Sequence, residues 1–183
     1  MTPVDQVLQQ LINGLSLGSI YALIALGYTM VYGIIQLINF AHGDVYMFGA
    51  YVGYFSMSVL RLGVFESLLI AMVLCTVLGV LIERIAYKPL RNSSRIAVLI
   101  TAIGVSLFLE YTMMFFLGAA VRSYPPLPDF MNATLEFGGV VVKVQQLIII
   151  GVSLLLMVLL QFIVRRTRMG KAIRAAAQDA STA

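Results

Sequence analysis

Formal charge is what this chain has least of. Only 11% of its 183 residues are Asp, Glu, Lys or Arg, against about 25% in soluble domains. With 61% hydrophobic residues and a mean hydropathy of +0.97, the apolar excess has no place in water, so the solvent must be lipid. Cysteine is nearly missing. The one present, Cys75, lies inside an apolar run, which excludes an intrachain disulfide and reads as a small core or lipid-facing residue. A single histidine and no Cys or His cluster argue against a metal site. No Gly-rich phosphate loop occurs in the sequence. The opening MTPVDQVLQQ has no basic n-region and leads into an apolar run too long for a signal peptide, so no cleaved signal is expected.

The scarce charge is also unevenly placed. Of twelve Lys and Arg, nine fall in two short stretches. Arg84, Lys88, Arg91 and Arg95 form one, and Arg165, Arg166, Arg168, Lys171 and Arg174 form the other. Apolar segments surround both, which is the pattern of a polytopic membrane protein with those stretches on the cytoplasmic side. The net charge of +4 therefore reads as orientation, not nucleic-acid binding.

Five apolar segments are expected to span: 11–35, 45–60, 64–82, 96–117 and 147–164. The first, Leu11 to Ile35, holds 25 residues without a formal charge, about 37 Å of helix and enough to cross with some tilt. The second is short for a span and is rich in Gly and Tyr. It either continues from Asp44 or forms part of a broken helix. The expected fold is all-α, a single transmembrane helical bundle.

Loop 83–95 and tail 165–183 carry net positive charge, while the charges of the 119–146 segment, Arg122, Asp129, Glu136 and Lys143, cancel. That places 83–95 and 165–183 inside, with 119–146 and the N-terminus outside. In the outer segment Pro125, Pro126 and Pro128 oppose a helix. Residues Leu135 to Val144, LEFGGVVVKV, place β-branched residues around Gly138-Gly139 and predict a small hairpin. Asn132-Ala-Thr134 matches a glycosylation sequon, read here as chance.

Four features could carry function. Asn39, His42, Gly43 and Asp44 make the densest polar cluster near the membrane, with Gly43 allowing a sharp turn. Such a break is tolerated where it faces protein or a water-filled cavity, so a pathway lining or proton relay is one reading. A capped turn is the other: Asp44 caps segment two and Asn39 closes segment one. Small residues at i+4 spacing, Gly14, Gly18 and Ala22, then Gly49 and Gly53, allow close helix approach, within this chain or with a second subunit. Glu110 is the one charge well inside a span, about 22 Å along the helix from Arg95. It reaches the outer interface or bonds a neighbouring helix. The Ala-rich tail from Met169 to Ala183 favours a slim helix. It suits a groove on a partner, or a membrane surface held by anionic lipid.

Together these residues carry a resemblance. Leu15–Tyr54, LSLGSIYALIALGYTMVYGIIQLINFAHGDVYMFGAYVGY, resembles the start of branched-chain amino-acid ABC transporter permeases, the H-type subunit. The hexapeptide NFAHGD, Asn39–Asp44, is specific to that family and its urea- and amide-transporting relatives. ERIAYKPLRNSS, Glu83–Ser94, is similar to the family's first large cytoplasmic loop, and RMGKAIRAAAQDASTA, Arg168–Ala183, to its ATPase-coupling segment.

The resemblance implies part of a type II-like ABC importer permease fold in a bacterial inner membrane. It implies a second permease subunit, cytoplasmic ATP-binding subunits and a periplasmic substrate-binding protein as partners. ATP would be bound by the partner, with no cofactor or bond chemistry on this chain. Coupling would fall to Gly170, Lys171, Arg174, Ala175, Ala176, Ala177 and Asp179. Family members continue further, so the chain is expected to be the N-terminal portion of a permease, ending within the coupling segment. Alternatives are a permease for urea, short amides or other amino acids, a non-transporting fragment, and a membrane-embedded enzyme using His42 and Asp44.

Overall fold

In the computed structural model, residues 3–35, 39–90, 93–137, 139–168 and 170–171 are described. Long apolar runs become long helices: α1 (Pro3–Ile35), α2 (His42–Ser58), α3 (Val64–Ile82), α4 (Arg95–Leu117) and α6 (Val144–Arg166), with a single-turn α5 (Asp129–Asn132). The expected hairpin is present as β1 (Thr134–Phe137) and β2 (Val140–Lys143), antiparallel, with Leu135 opposite Val142 and Glu136 opposite Val141.

Among the described residues, four helical stretches, Pro3–Met30, Val64–Leu90, Ile96–Leu117 and Val144–Arg166, are long and apolar enough to cross a bilayer. Only 6–11% of each apolar window is buried within the chain. The apolar side chains therefore face outward, the reverse of a water-soluble bundle. With 17 residues, α2 rises about 25 Å, less than a hydrocarbon core of roughly 30 Å.

The chain divides into two compact units, one made of residues 1–36 and 127–183, the other of residues 37–126. In the first, α1 packs on α6 and the hairpin sits against the N-terminal turns of α1. The described part of α1 runs from Pro3, eight residues before the apolar run, and proline suits a first helical turn. Those extra turns carry the side chains that hold the hairpin. The Gln9 amide accepts from Val141 N–H and donates to Val141 C=O, both at 2.9 Å, as a strand backbone would. Asn13 Oδ1 accepts from Gln9 Nε2 at 3.3 Å and from Gln146 Nε2 at 2.9 Å. Gln146 Oε1 in turn accepts from Lys143 N–H at 3.1 Å, closing the start of α6. The hairpin turn needs glycine at 139, where φ is +92°, and the Asp5 carboxylate packs 2.9 Å from where a Cβ would stand.

In the second unit, α2 and α3 form an antiparallel pair joined at 59–63, where Arg61 takes a φ of +54°. Beyond Ile82 the backbone stays helical but changes type. A π-helix covers Glu83–Tyr87 and a 3-10 turn covers Lys88–Leu90. Ser94 caps α4, its Oγ accepting from Ala97 N–H at 3.3 Å, and Gly118 ends it with a φ of +76°.

Candidate functional site

The polar hexapeptide opens α2. The Asn39 carbonyl accepts from His42 N–H at 3.2 Å, and the Ala41 carbonyl accepts from Val45 N–H at 3.0 Å. Ala41 is fully buried, so an apolar methyl anchors the turn. Gly43 and Asp44 do not take the roles their spacing suggests. Gly43 is not the sharp turn; it lies in the first turn of α2, and no described atom beyond its own helix turn comes within 4 Å of the position a Cβ would take. Asp44 does not cap α2, which begins two residues earlier after Ala41, with no side-chain cap. Its carboxylate accepts instead from Ser106 Oγ on α4 at 2.5 Å. A negative charge in a first helical turn is also favoured by the helix dipole.

Asn39 has a distant partner of its own. Tyr87 Oη, at the end of the π-helix, donates to Asn39 Oδ1 at 2.6 Å. The hexapeptide is thus fastened to two other elements, one through Asn39 and one through Asp44. Sequence reasoning missed both Tyr87 and Ser106. The only available signal was a tyrosine inside the basic stretch and a serine inside an apolar helix. The His42 side chain, in the same turn of α2, is half-buried.

The small-residue rows separate. A Cβ on Gly49 would meet Cys75 Sγ at 2.8 Å, and one on Gly53 would meet Tyr124 Oη at 3.1 Å, so this row serves packing inside the chain. Gly14 and Gly18 have no described atom within 4 Å of a Cβ. Glu110 is exposed on α4.

Outside the helices, segment 118–126 lies along α2. Tyr124 Oη donates to Ala50 C=O at 2.6 Å. The Arg122 guanidinium stands 5.7 Å from the Tyr54 ring centre and 5.4 Å from that of Phe55, within cation–π range. Partial burial lifts the Tyr124 phenol above its ordinary value, and Tyr46 adds a smaller push, so it stays a neutral donor.

Of the coupling residues, Gly170 and Lys171 are described; Arg174, Ala175, Ala176, Ala177 and Asp179 lie outside the described residues, as does the expected tail helix. The chain bends at Thr167, which leaves helical geometry with φ −92° and ψ 163°. Thr167 Oγ1 then accepts from Gly170 N–H at 3.1 Å, an N-cap for a new turn. Gly170 is buried, and a Cβ there would overlap the carbonyl oxygens of Ile163 and Val164.

A family model described as branched-chain amino acid transport system / permease component matches residues 10–183. The chain belongs to this family. It is 41% identical over 189 residues to the high-affinity branched-chain amino acid transport system permease protein BraD of Pseudomonas aeruginosa, covering 98% of this chain and 62% of that protein. It is 43% identical over 183 residues to the corresponding permease protein LivH of Salmonella typhimurium, covering 94% of this chain and 59% of LivH. LivH of Escherichia coli K12 is 43% identical over the same shares. The chain thus spans about six-tenths of the length of the curated relatives it matches. No solved structure matches it. Family and helices together make it an all-α, multi-pass inner-membrane protein.

Proposed function

We propose that this chain acts as a permease subunit of an ATP-driven importer for branched-chain amino acids, forming part of the translocation pathway and coupling to a cytoplasmic ATPase. The observation that carries this is the family match over residues 10–183, which includes the hexapeptide and the tail. The relatives bear the name high-affinity branched-chain amino acid permease. The partners would be a second permease subunit, cytoplasmic ATP-binding subunits and a periplasmic substrate-binding protein. ATP would be held by the partner ATPase, and this chain would transport without bond chemistry. The cytoplasmic side would carry 83–95 and 165–183, the outer side 119–146, with α2 as a short span or half of a broken one.

The polar break supports a place beside the pathway. It holds Asn39, Asp44, Tyr87 and Ser106 together between apolar helices, an arrangement tolerated where it faces protein or water. Uptake of labelled leucine at low concentration by cells with and without the gene tests the reading. Loss of uptake on deletion and recovery on complementation is expected. Unchanged leucine uptake with loss of urea or amide uptake would move the substrate to the family's other branch. A membrane enzyme using His42 and Asp44 would act without any ATPase, which the same cells lacking the ATPase would reveal.

A further inference from the structure

After Ile82 the helix does not continue in α form: Glu83–Tyr87 is a π-helix. Such turns are rare and gather at functional sites. A π turn accommodates one more residue than an α turn, so the residues beyond it are rotated relative to an uninterrupted α-helix. One residue of an α-helix corresponds to about 100°. Tyr87 is the last residue of this turn, and its hydroxyl spans 48 sequence positions to reach Asn39 Oδ1 at 2.6 Å. Asn39 in turn accepts the His42 N–H that starts α2, and Asp44, in the same first turn, is held by Ser106 of α4.

We propose that the π turn and the Tyr87–Asn39 hydrogen bond are one switch, which ties residues 83–90 to the start of α2. Relaxing Glu83–Tyr87 to α geometry swings the phenol about 100° around the helix and releases Asn39. Conversely, a phenol bonded to Asn39 holds the turn in its wide form. Ser106 keeps the other side of the hexapeptide in place through Asp44, so that release of Asn39 moves the turn at 39–41 rather than the whole of α2. Tyr87, Asn39 and Ser106 are positioning residues, not groups that touch the substrate. A bond this short between half-buried neutral groups is strong enough to bias a turn, and weak enough to break in each cycle.

For its role in transport, the switch rests on the importer function proposed for the chain. Its test has two arms. The first is hydrogen exchange on the purified chain in detergent, comparing wild type with Tyr87→Phe. Faster exchange is expected together in 83–88 and in 39–45, while α6 is unchanged. Faster exchange confined to 83–88 would overturn the coupling.

The second arm is transport by the complex assembled with its ATPase and binding protein, for Tyr87→Phe, Asn39→Ala and the pair. Each single variant is expected to lower transport per folded complex about fivefold. The concentration of loaded binding protein giving half-maximal rate should not change. The double variant should be no worse than either single one, since both remove the same bond. Unchanged transport per folded complex in both singles, or losses that multiply in the pair, would overturn the switch. If the wild-type complex carries no leucine, the proposed function falls, and the exchange arm still decides whether turn and hexapeptide are coupled.

Discussion

Cys75 Sγ on α3 fills the space that a side chain on Gly49 of α2 would need, 2.8 Å from where a Cβ would stand. The thiol also points at the Val45 carbonyl, 3.6 Å away, one helical turn before Gly49. Glycine and cysteine are therefore a matched pair, and the α2–α3 approach depends on both. In lipid, where apolar side chains gain nothing by leaving the solvent, such close backbone approach is a main source of helix association.

Replacing Gly49→Ala should destabilise this pair. The added methyl overlaps the thiol, and Cys75 has one torsion with which to move it, at the loss of its contact with Val45. An overpacking cost of about 1–3 kcal/mol is expected, at the lower end because the thiol can rotate. Cys75→Ala alone should cost less, and Gly49→Ala with Cys75→Ala should recover most of the loss. Thermal unfolding in a mild detergent measures it. Additive losses in the double variant would show that the two residues do not share a space.

Gly43 offers the opposite case. The position of its Cβ is open, and its backbone is ordinary helix, so Gly43→Leu should fold and insert at wild-type levels. A glycine in a helix costs about 1 kcal/mol against alanine, so a gain in stability is even expected. If the hexapeptide lies beside the pathway, the new side chain should still reduce leucine uptake. Comparing uptake with the amount of protein in the membrane separates the two effects. Expression and uptake falling in parallel would assign Gly43 to folding alone.

The sequence made the helices and the hairpin readable because their signals are local. Apolar runs without charge, and strand-forming residues flanking Gly138-Gly139 with a valine run after it, need no distant partner to be interpreted. The hexapeptide was visible for the same reason: its polarity breaks an apolar background. Its bonding was not visible. An aspartate near the start of a helix suggests a cap, yet Asp44 pairs with a serine 62 positions away, and Asn39 with a tyrosine 48 positions away. Nothing in the spacing of Tyr87 announces a π turn, since one extra residue in a short helical stretch leaves no periodic trace. Likewise Gln9, an ordinary polar residue before an apolar run, stands in for a strand only because the hairpin comes to rest beside it.

Orientation can be tested with single cysteines in a Cys75→Ala background. Asn132 is exposed at the end of α5, and Asn92 belongs to the basic stretch of the sequence. With 83–95 inside and 119–146 outside, a membrane-impermeant thiol reagent applied to intact spheroplasts should label Asn132→Cys. It should label Asn92→Cys only in inside-out vesicles. Cys75→Ala is a mild background, because it removes a thiol and introduces no overlap at Gly49. Labelling of both positions from one side would remove the orientation drawn from the clustered basic residues.

Thr167 ends α6 and caps the next turn through Gly170 N–H, and Lys171 N–H then bonds the Thr167 carbonyl at 3.1 Å. This fold-back is open only to glycine at 170, because a Cβ would overlap the carbonyl oxygens of Ile163 and Val164. Gly170 therefore sets the course of the chain just after α6. If the tail docks on an ATPase, Gly170→Ala should misdirect it while leaving membrane insertion intact. An overpacking cost of about 1–3 kcal/mol, felt wholly in docking, corresponds to a loss of roughly fivefold to 150-fold in ATPase recovered with the permease. Ala176→Trp, which adds bulk to the tail itself, should have the same effect. Thr167→Ala should be milder, about 1 kcal/mol, because it removes one cap and blocks nothing. Co-purification of the ATPase with each variant measures all three. Full recovery with both Gly170→Ala and Ala176→Trp would mean that the tail lies on the membrane surface, held by its basic residues, and contributes nothing to docking.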